Sequence, residues 1–397
     1  MKVLLLNQFY PPDTAATGQL LADVASHLAS LGHDVHVLCS AGQYAGGVVA
    51  DAGGEPGVTV HRVGATSRGR ATSFDQLCDW ASFHALTHLR ITRLGRFDAC
   101  LALTTPPFIA LAALRLQRMW KTRVVLWSMD VWPEIAEVVG ILRPGSLPSR
   151  VLRGVARHIY RRADAIISLG PRMSERLVEA GAPAGRVTVV HNWAPGESVT
   201  PQPFPDGVFT VMYSGNMGPG HDMDTILSAA RLLRDNPSVQ FLFAAHGKRR
   251  AALEAQARQE GLTNIRWTDP CPLSGLSRSL GQAHAHLACL SPEAEGLMVP
   301  SKVYGILAAG RPALMAGSTQ GDLSILLRQS GGGLSAGHGQ ARELAGVILR
   351  LQADPDQARR MGAAGRSYYE QHLCQRRGAA AVAAVLTGQQ TQGHTAP

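Results

Sequence analysis

The sequence is short of three things, and each shortage narrows what the chain does. Its six cysteines (Cys39, Cys78, Cys100, Cys271, Cys289, Cys374) lie far apart and form no Cys-x-x-Cys. That argues against a thiolate metal knuckle or a disulfide framework and makes a reducing compartment the expectation. No apolar run reaches the ~18 residues of a spanning helix: ACLALTTPPFIALAALRL is broken by Thr104, Thr105 and a proline pair, and KVLLLN stops at Asn7, too short for the apolar region of a signal peptide. The chain is expected to be soluble or peripheral. Charged residues make up only 17%, yet the formal net charge is +9, and no acid occurs from Leu142 to Arg162. This points to a polyanionic partner, and nucleic acid, nucleotide phosphates and an anionic membrane surface all qualify. Nucleic acid is disfavoured, because no strand interleaves aromatic and basic residues.

What is present is an ordinary globular composition, 45% hydrophobic over 397 residues, enough for two domains of about 200 residues. KVLLLN, a helical pattern ending at Gly32, and DVHVLCS form a strand-helix-strand opening. The same grammar repeats through DACLALT, RVVLWSM, ADAIISLG and RVTVVHN. Strands alternating with helices give an α/β chain with parallel sheets. A Pro-rich stretch without periodicity reads as a linker, and a second α/β series starts at FTVMYSGN. The expected organisation is an N-terminal Rossmann-like domain over 1–194, a linker over 195–208, a C-terminal Rossmann-like domain over 209–370, and a crossover helix end with a disordered tail over 371–397.

Several loops carry residues suited to chemistry. Gly18 opens the first helix, where an open α/β sheet binds ligands, and it either lets backbone approach a phosphate or only permits a turn after a Thr17 cap. No Gly-x-Gly-x-x-Gly is present and strand two ends in LCS without an acid, which argues against a nicotinamide dehydrogenase. Asp130 comes after a buried run with Trp127 and Trp132 nearby; it either contacts sugar hydroxyls or caps the next helix. Arg150, Arg153, Arg157 and Arg161 share nearly one helical face, which is either a membrane contact or a solvated surface. In YSGNMGPGHDMD, Gly215, Gly218 and Gly220 can expose donors to a diphosphate. Asp222 and Asp224 are read as helix-capping rather than metal-binding. Lys248, Arg249 and Arg250 oppose a helix dipole and so ask for an anion, with Arg250 the chosen ligand. In EAEGLMVPSKVYGILAAGRP, Glu295 is placed to accept from hydroxyls and Lys302 to neutralise a diphosphate, with Ser301 capping the helix and Gly310 and Pro312 ending it. The plain alternative is a capped helix with a surface lysine.

Taken together, the patterns GN-x-G, PSK and LAAGRP, with NQFYPPDTAATGQ, LGHDVHVL and VVHNW, resemble the retaining nucleotide-sugar glycosyltransferases of family 4, in particular their bacterial polysaccharide and lipopolysaccharide branch. The resemblance covers nearly the whole chain. It implies a GT-B fold: two facing Rossmann-like domains, donor on the C-terminal one, acceptor on the N-terminal one, no bound metal, and a last helix crossing back. It also implies that Gly18 approaches the donor phosphates, that Arg250 and Lys302 bind the diphosphate, and that Glu295 contacts the transferred sugar. The chain departs from the pattern in three places, five residues in all. Asn216 and His221 stand where the family usually has Arg and Lys, Gly305 where it has a second glutamate, and Met129 and Asp130 where it often has a sugar-contacting His. The expected catalytic set is therefore Asp130, Glu295 and Lys302, with Gly18, Gly215, Asn216, Gly218, His221, Lys248, Arg250, Ser301 and Lys302 around the donor. The expected activity is transfer of a hexose or N-acetylhexosamine from a nucleoside diphosphate sugar, uridine-linked by preference and guanosine-linked next, to a polyprenyl-linked or other glycan acceptor, by a protein that is cytoplasmic or peripheral on the inner face of the cytoplasmic membrane. A nucleotide-sugar epimerase and a non-catalytic sugar-nucleotide-binding subunit are the alternatives.

Overall fold

A strand covered by helices on both faces has to be apolar along its length, and Val3 to Leu6 meet that demand with no exposed surface at all. The computed structural model describes residues 1–43, 47, 56–69, 72–194 and 199–389. The chain divides into two units, Met1–Pro195 with Gln375–Pro397, and Gly196–Cys374.

In the first unit the order is β1 (Lys2–Leu6), α1 (Ala16–Ser30), β2 (Asp34–Ser40), β3 (Val58–Val63), α2 (Ser73–Arg90), β4 (Ala99–Leu103), α3 (Ala110–Trp120), β5 (Arg123–Trp127), α4 (Glu134–Val138), α5 (Leu147–Arg162), β6 (Ala165–Ser168), α6 (Pro171–Glu179) and β7 (Val187–Val189). The strands pair in parallel in the order β3-β2-β1-β4-β5-β6-β7. Helix α1 buries Leu20, Leu21, Val24, Ala25 and Leu28, one helical face, and gives way to Gly32 at φ +78°.

The second unit repeats the plan with β8 (Phe209–Asn216), α7 (Met223–Leu232), β9 (Val239–His246), α8 (Arg250–Gln259), β10 (Ile265–Thr268), α9 (Leu276–Gly281), β11 (Ala285–Cys289), α10 (Lys302–Ala308), β12 (Ala313–Ala316), α11 (Asp322–Ser330), β13 (Gly333–Ala336), α12 (Ala341–Ala353) and α13 (Pro355–Tyr368). Its parallel sheet runs β10-β9-β8-β11-β12-β13. In both sheets the order reverses beside the first strand, between β1 and β4 and between β8 and β11. The carboxyl ends of those strands are where a doubly wound sheet leaves room for a ligand.

The final helix, α14 (Gln375–Thr387), belongs to the first unit and packs on α1 and over β4, β5 and β6. Gly378 makes this possible: a Cβ there would stand 2.5 Å from Trp193 Cζ3. No helix among the described residues is long and apolar enough to cross a membrane.

Two parts of the sequence reading meet the limits of the described residues. Of the expected linker, 195–198 lies outside the described residues, and the stretch from Val199 onward is fastened to the second unit. Arg366 Nη1 donates to the Val199 carbonyl at 2.9 Å, and Arg311 Nη2 donates to those of Gln202 and Pro203 at 3.1 and 2.7 Å. Phe204 lies under the Arg311 guanidinium, 4.2 Å from ring centroid to Cζ. Arg311, 1% exposed, also donates to Ala283 and Gly281, so Gly-Arg-Pro both ends α10 and ties down the incoming chain. The expected tail disorder concerns GQQTQGHTAP, 388–397, of which 390–397 lies likewise outside the described residues.

Candidate active site

The second unit holds the denser chemistry. At the end of β8, Gly215 takes φ +115°, a conformation that favours glycine, and the chain enters a loop that closes on itself. Tyr213 Oη donates to the Asn216 carbonyl at 2.7 Å, and Met217 N–H donates to the His246 carbonyl at 2.7 Å. His221 Nδ1 lies 3.2 Å from Gly218 N and 3.3 Å from Gly218 O, so the ring is pinned to the loop in either tautomer. Burial, reinforced by the Lys302 charge, lowers His221 to about 4 and keeps it neutral at physiological pH. Asp222 caps α7, accepting from Thr225 N at 3.1 Å and Thr225 Oγ1 at 2.7 Å.

Lys302 is the unusual residue. Its stem is partly exposed, but the ammonium is buried and no hydrogen-bond acceptor reaches it. It rests 3.4 Å from the Tyr213 ring centroid, and a Cβ at Gly215 would lie 3.8 Å from Nζ. A cation over an aromatic face recovers part of the lost hydration. The remainder shows in a pKa lowered by burial to about 8. Ser301 stands at the helix start with helical backbone angles and makes no capping hydrogen bond, contrary to expectation: its φ and ψ fold the side chain out of the capping geometry.

The three cations after β9 separate. Arg249 turns to the glycine loop, with Nη1 donating to the His221 carbonyl at 3.0 Å and Nη2 to Asp224 Oδ1 at 3.2 Å. Arg250, the residue chosen from sequence, is held by Asp269 and the Ala245 carbonyl, with Glu254 at 4.0 Å. Lys248 is exposed. A pocket of about 450 Å³ opens between Pro219, His221, Asp222, Arg249, Glu293 and His338.

Glu295 lies beside this pocket. Its Oε1 accepts from Ser318 N–H at 2.9 Å and lies 3.6 Å from His338 Nε2. Burial pushes its carboxyl up to about 7. The structure thus gathers Gly215, Asn216, Gly218, His221, Lys302 and Glu295 at the carboxyl end of one sheet, and adds Arg249 and His338, which sequence reasoning passed over.

In the first unit, Asp130 is half-buried in the loop after β5. Its backbone N–H and that of Met129 point to Thr104 Oγ1 at 3.4 and 3.1 Å, and Ser128 Oγ donates to its carbonyl. It does not cap α4, whose cap position is Pro133 with no side-chain bond. Of the two nearby indoles, Trp127 packs on Trp193 and Trp132 meets Trp80 edge-on. Gly18 sits inside α1 with its N–H committed to the Ala15 carbonyl. A Cβ there would stand 3.1 Å from the Phe9 backbone, so its bareness lets the β1 loop close on the helix. Thr17 is not the cap either; Ala15 is, and Thr17 Oγ1 faces Asn7 Nδ2 at 3.4 Å. Of the basic face on α5, Arg153 is taken by Glu134 and Glu137 of α4, while Arg150, Arg157 and Arg161 stay exposed beside Leu147 (74%) and Val151 (57%).

Comparison with known proteins agrees with this architecture. Residues 16–193 match the glycosyl transferase 4-like domain and residues 197–368 the glycosyl transferases group 1 domain. The probable glycosyltransferase WbjE of Pseudomonas aeruginosa is 26% identical over 250 residues, covering 60% of this chain and 62% of that protein. The putative colanic acid biosynthesis glycosyl transferase WcaI of Escherichia coli (strain K12) is 23% identical over 351 residues, covering 82% of this chain and 86% of that protein. Among solved structures, sucrose-phosphate synthase from Thermosynechococcus elongatus superposes with a TM-score of 0.77 at 14% identity, over 98% of this chain and 99% of that one. HepE from Anabaena, solved with UDP-glucose, gives 0.68 at 15% over 98% and 100%. WaaG, described as a glycosyltransferase involved in lipopolysaccharide biosynthesis, gives 0.69 at 14% over 97% and 100%. The two domain matches succeed one another along most of the chain, and the chain belongs to the GT-B glycosyltransferases.

Proposed function

We propose that the chain transfers a hexose or N-acetylhexosamine, with retention of configuration, from a nucleoside diphosphate sugar to a lipid-linked glycan in cell-surface polysaccharide or lipopolysaccharide synthesis at the cytoplasmic face of the membrane. The observation that carries the reading is the Lys302 ammonium, buried beside Gly215 without an acceptor. A buried charge without a partner is costly unless a ligand completes it, and a diphosphate on the glycine loop is the anion that chemistry calls for. Neutral His221 adds a polar group without adding charge. Glu295 supplies acceptor oxygens for sugar hydroxyls, and Asp130 is the first unit's polar group for the acceptor. A uridine-linked donor is favoured, in keeping with the UDP-glucose bound in HepE, and a glycan acceptor is in keeping with the names of WcaI and WaaG.

Retention would proceed by front-face attack, with the departing diphosphate taking the acceptor's proton. The protein then contributes charge stabilisation and positioning. The test is nucleoside diphosphate release from uridine- and guanosine-linked sugars with membrane extract as acceptor. Release from one donor that needs the extract, falls at least about a hundredfold in Lys302→Ala and falls in Asp130→Ala is expected. Donor binding without release from any sugar would overturn the reading.

A further inference from the structure

Three loops at the carboxyl end of the second sheet meet at one imidazole, and a fourth reaches it through Glu295. His338 lies in the loop between β13 and α12. Its Nδ1 is 3.7 Å from Asp222 Oδ2, at the end of the glycine loop, and its Nε2 is 3.6 Å from Glu295 Oε1, in the loop after β11. Each of these two carboxylate oxygens is also held by a second group. Thr225 Oγ1 donates to Asp222 Oδ2 at 2.7 Å and accepts from Gly339 N–H at 3.0 Å, which anchors the histidine's own loop. Ser318 N–H, in the loop between β12 and α11, donates to Glu295 Oε1 at 2.9 Å. Nδ1 is buried and makes no hydrogen bond of its own, so the ring is drawn to the joint by the two acids.

We propose that His338 is a positioning residue, joining Asp222 to Glu295 and so fixing the Glu295 carboxyl relative to the glycine loop. The chemistry suits the task. A neutral imidazole has one N–H and serves one carboxylate, whereas an imidazolium, or a neutral ring facing a protonated Glu295, satisfies both neighbours. Thr225 and Asp222 form the fixed end, and Glu295 is the end that is aimed.

The inference rests on the reading that Glu295 contacts the transferred sugar, and a double-mutant cycle separates the two. Wild type, Glu295→Gln, His338→Ala and the double variant are compared by diphosphate release, with donor KM, kcat and thermal midpoint for each. A misaimed group costs on the order of tenfold to a hundredfold. His338→Ala is therefore expected to lower kcat by about tenfold or more with donor KM within about threefold. In the Glu295→Gln background the same change is expected to cost less than about twofold, since residues acting through one another are not additive. His338→Asn, whose shorter side chain brings its single NH2 group to one carboxylate at a time, is expected to fall between, and it replaces His338→Ala if the alanine variant melts early. Losses that multiply, or an unchanged kcat in His338→Ala, overturn the positioning role while leaving Glu295 in place. Full activity in Glu295→Gln overturns the reading of Glu295, and the inference with it.

Discussion

Lys302 combines the site's chemistry with a cost to the fold. Burial lowers its pKa from 10.5 to about 8, so the folded chain disfavours the charge. That penalty is fully present below about pH 8, where folded and unfolded chains both carry the proton, and it fades between about 8 and 10.5 as the folded chain alone gives it up. Lys302→Met should therefore stabilise the protein by about 1–3 kcal/mol at pH 7, with the gain shrinking towards pH 10.5, and weaken UDP binding by about 10- to 100-fold. Denaturant melts and calorimetry measure both; a destabilised variant would show that the ammonium has a partner. Lys302 and Glu295 were legible because they stand out in an apolar strand-to-helix turn. Arg249 and His338 were not. Three adjacent cations gave no way to tell which one the helix start turns inward, and His338 sits in SAGHGQ, without periodicity, with its partners far away in the chain.

Most strands announced themselves as short buried runs, since a parallel sheet between helices tolerates little else. Two escaped notice. In β3, Val58 and Val63 are buried but the four residues between them are not, because the strand lies at a sheet edge. In β13, Gly333–Ala336 is small and comes after two glycines, so its place came from pairing with β12 rather than from its own propensity. Helix α14 shows the converse, a weakly patterned, alanine-rich helix located by one glycine. Gly378→Val would press on the Trp193 indole, and overpacking of this kind costs about 1–3 kcal/mol. A lower thermal midpoint is expected for this variant, and an unchanged one would mean that α14 docks loosely.

The net charge of +9 was the broadest clue and the least specific, because charge totals say nothing of which arginines are already paired. With Arg153 occupied, Arg150, Arg157 and Arg161 remain exposed beside Leu147 and Val151, a surface suited to an anionic bilayer. Flotation with phosphatidylglycerol vesicles is expected to carry the protein at low salt, less so at 0.5 M, where charges are screened within about 4–5 Å, and poorly after replacing the three arginines by glutamine. No flotation at low salt would remove this face from consideration. The family's two-domain plan was legible as a whole because the strand-helix grammar is written twice. The fastening of the stretch from Val199 to the second unit was not legible, because proline and lack of periodicity mark irregular backbone, whether loose or fastened.

That fastening decides where the chain can be cut. Four carbonyls accept from Arg311, two of them in the stretch ahead of β8. A fragment starting at β8, the first strand of the second unit, would leave a guanidinium with half its acceptors missing and the seat of Phe204 bare. The usable boundary of that unit lies upstream of Val199, and recombination between relatives should exchange the segment from Val199 to Phe204 together with Arg311 and Arg366, as one inherited block.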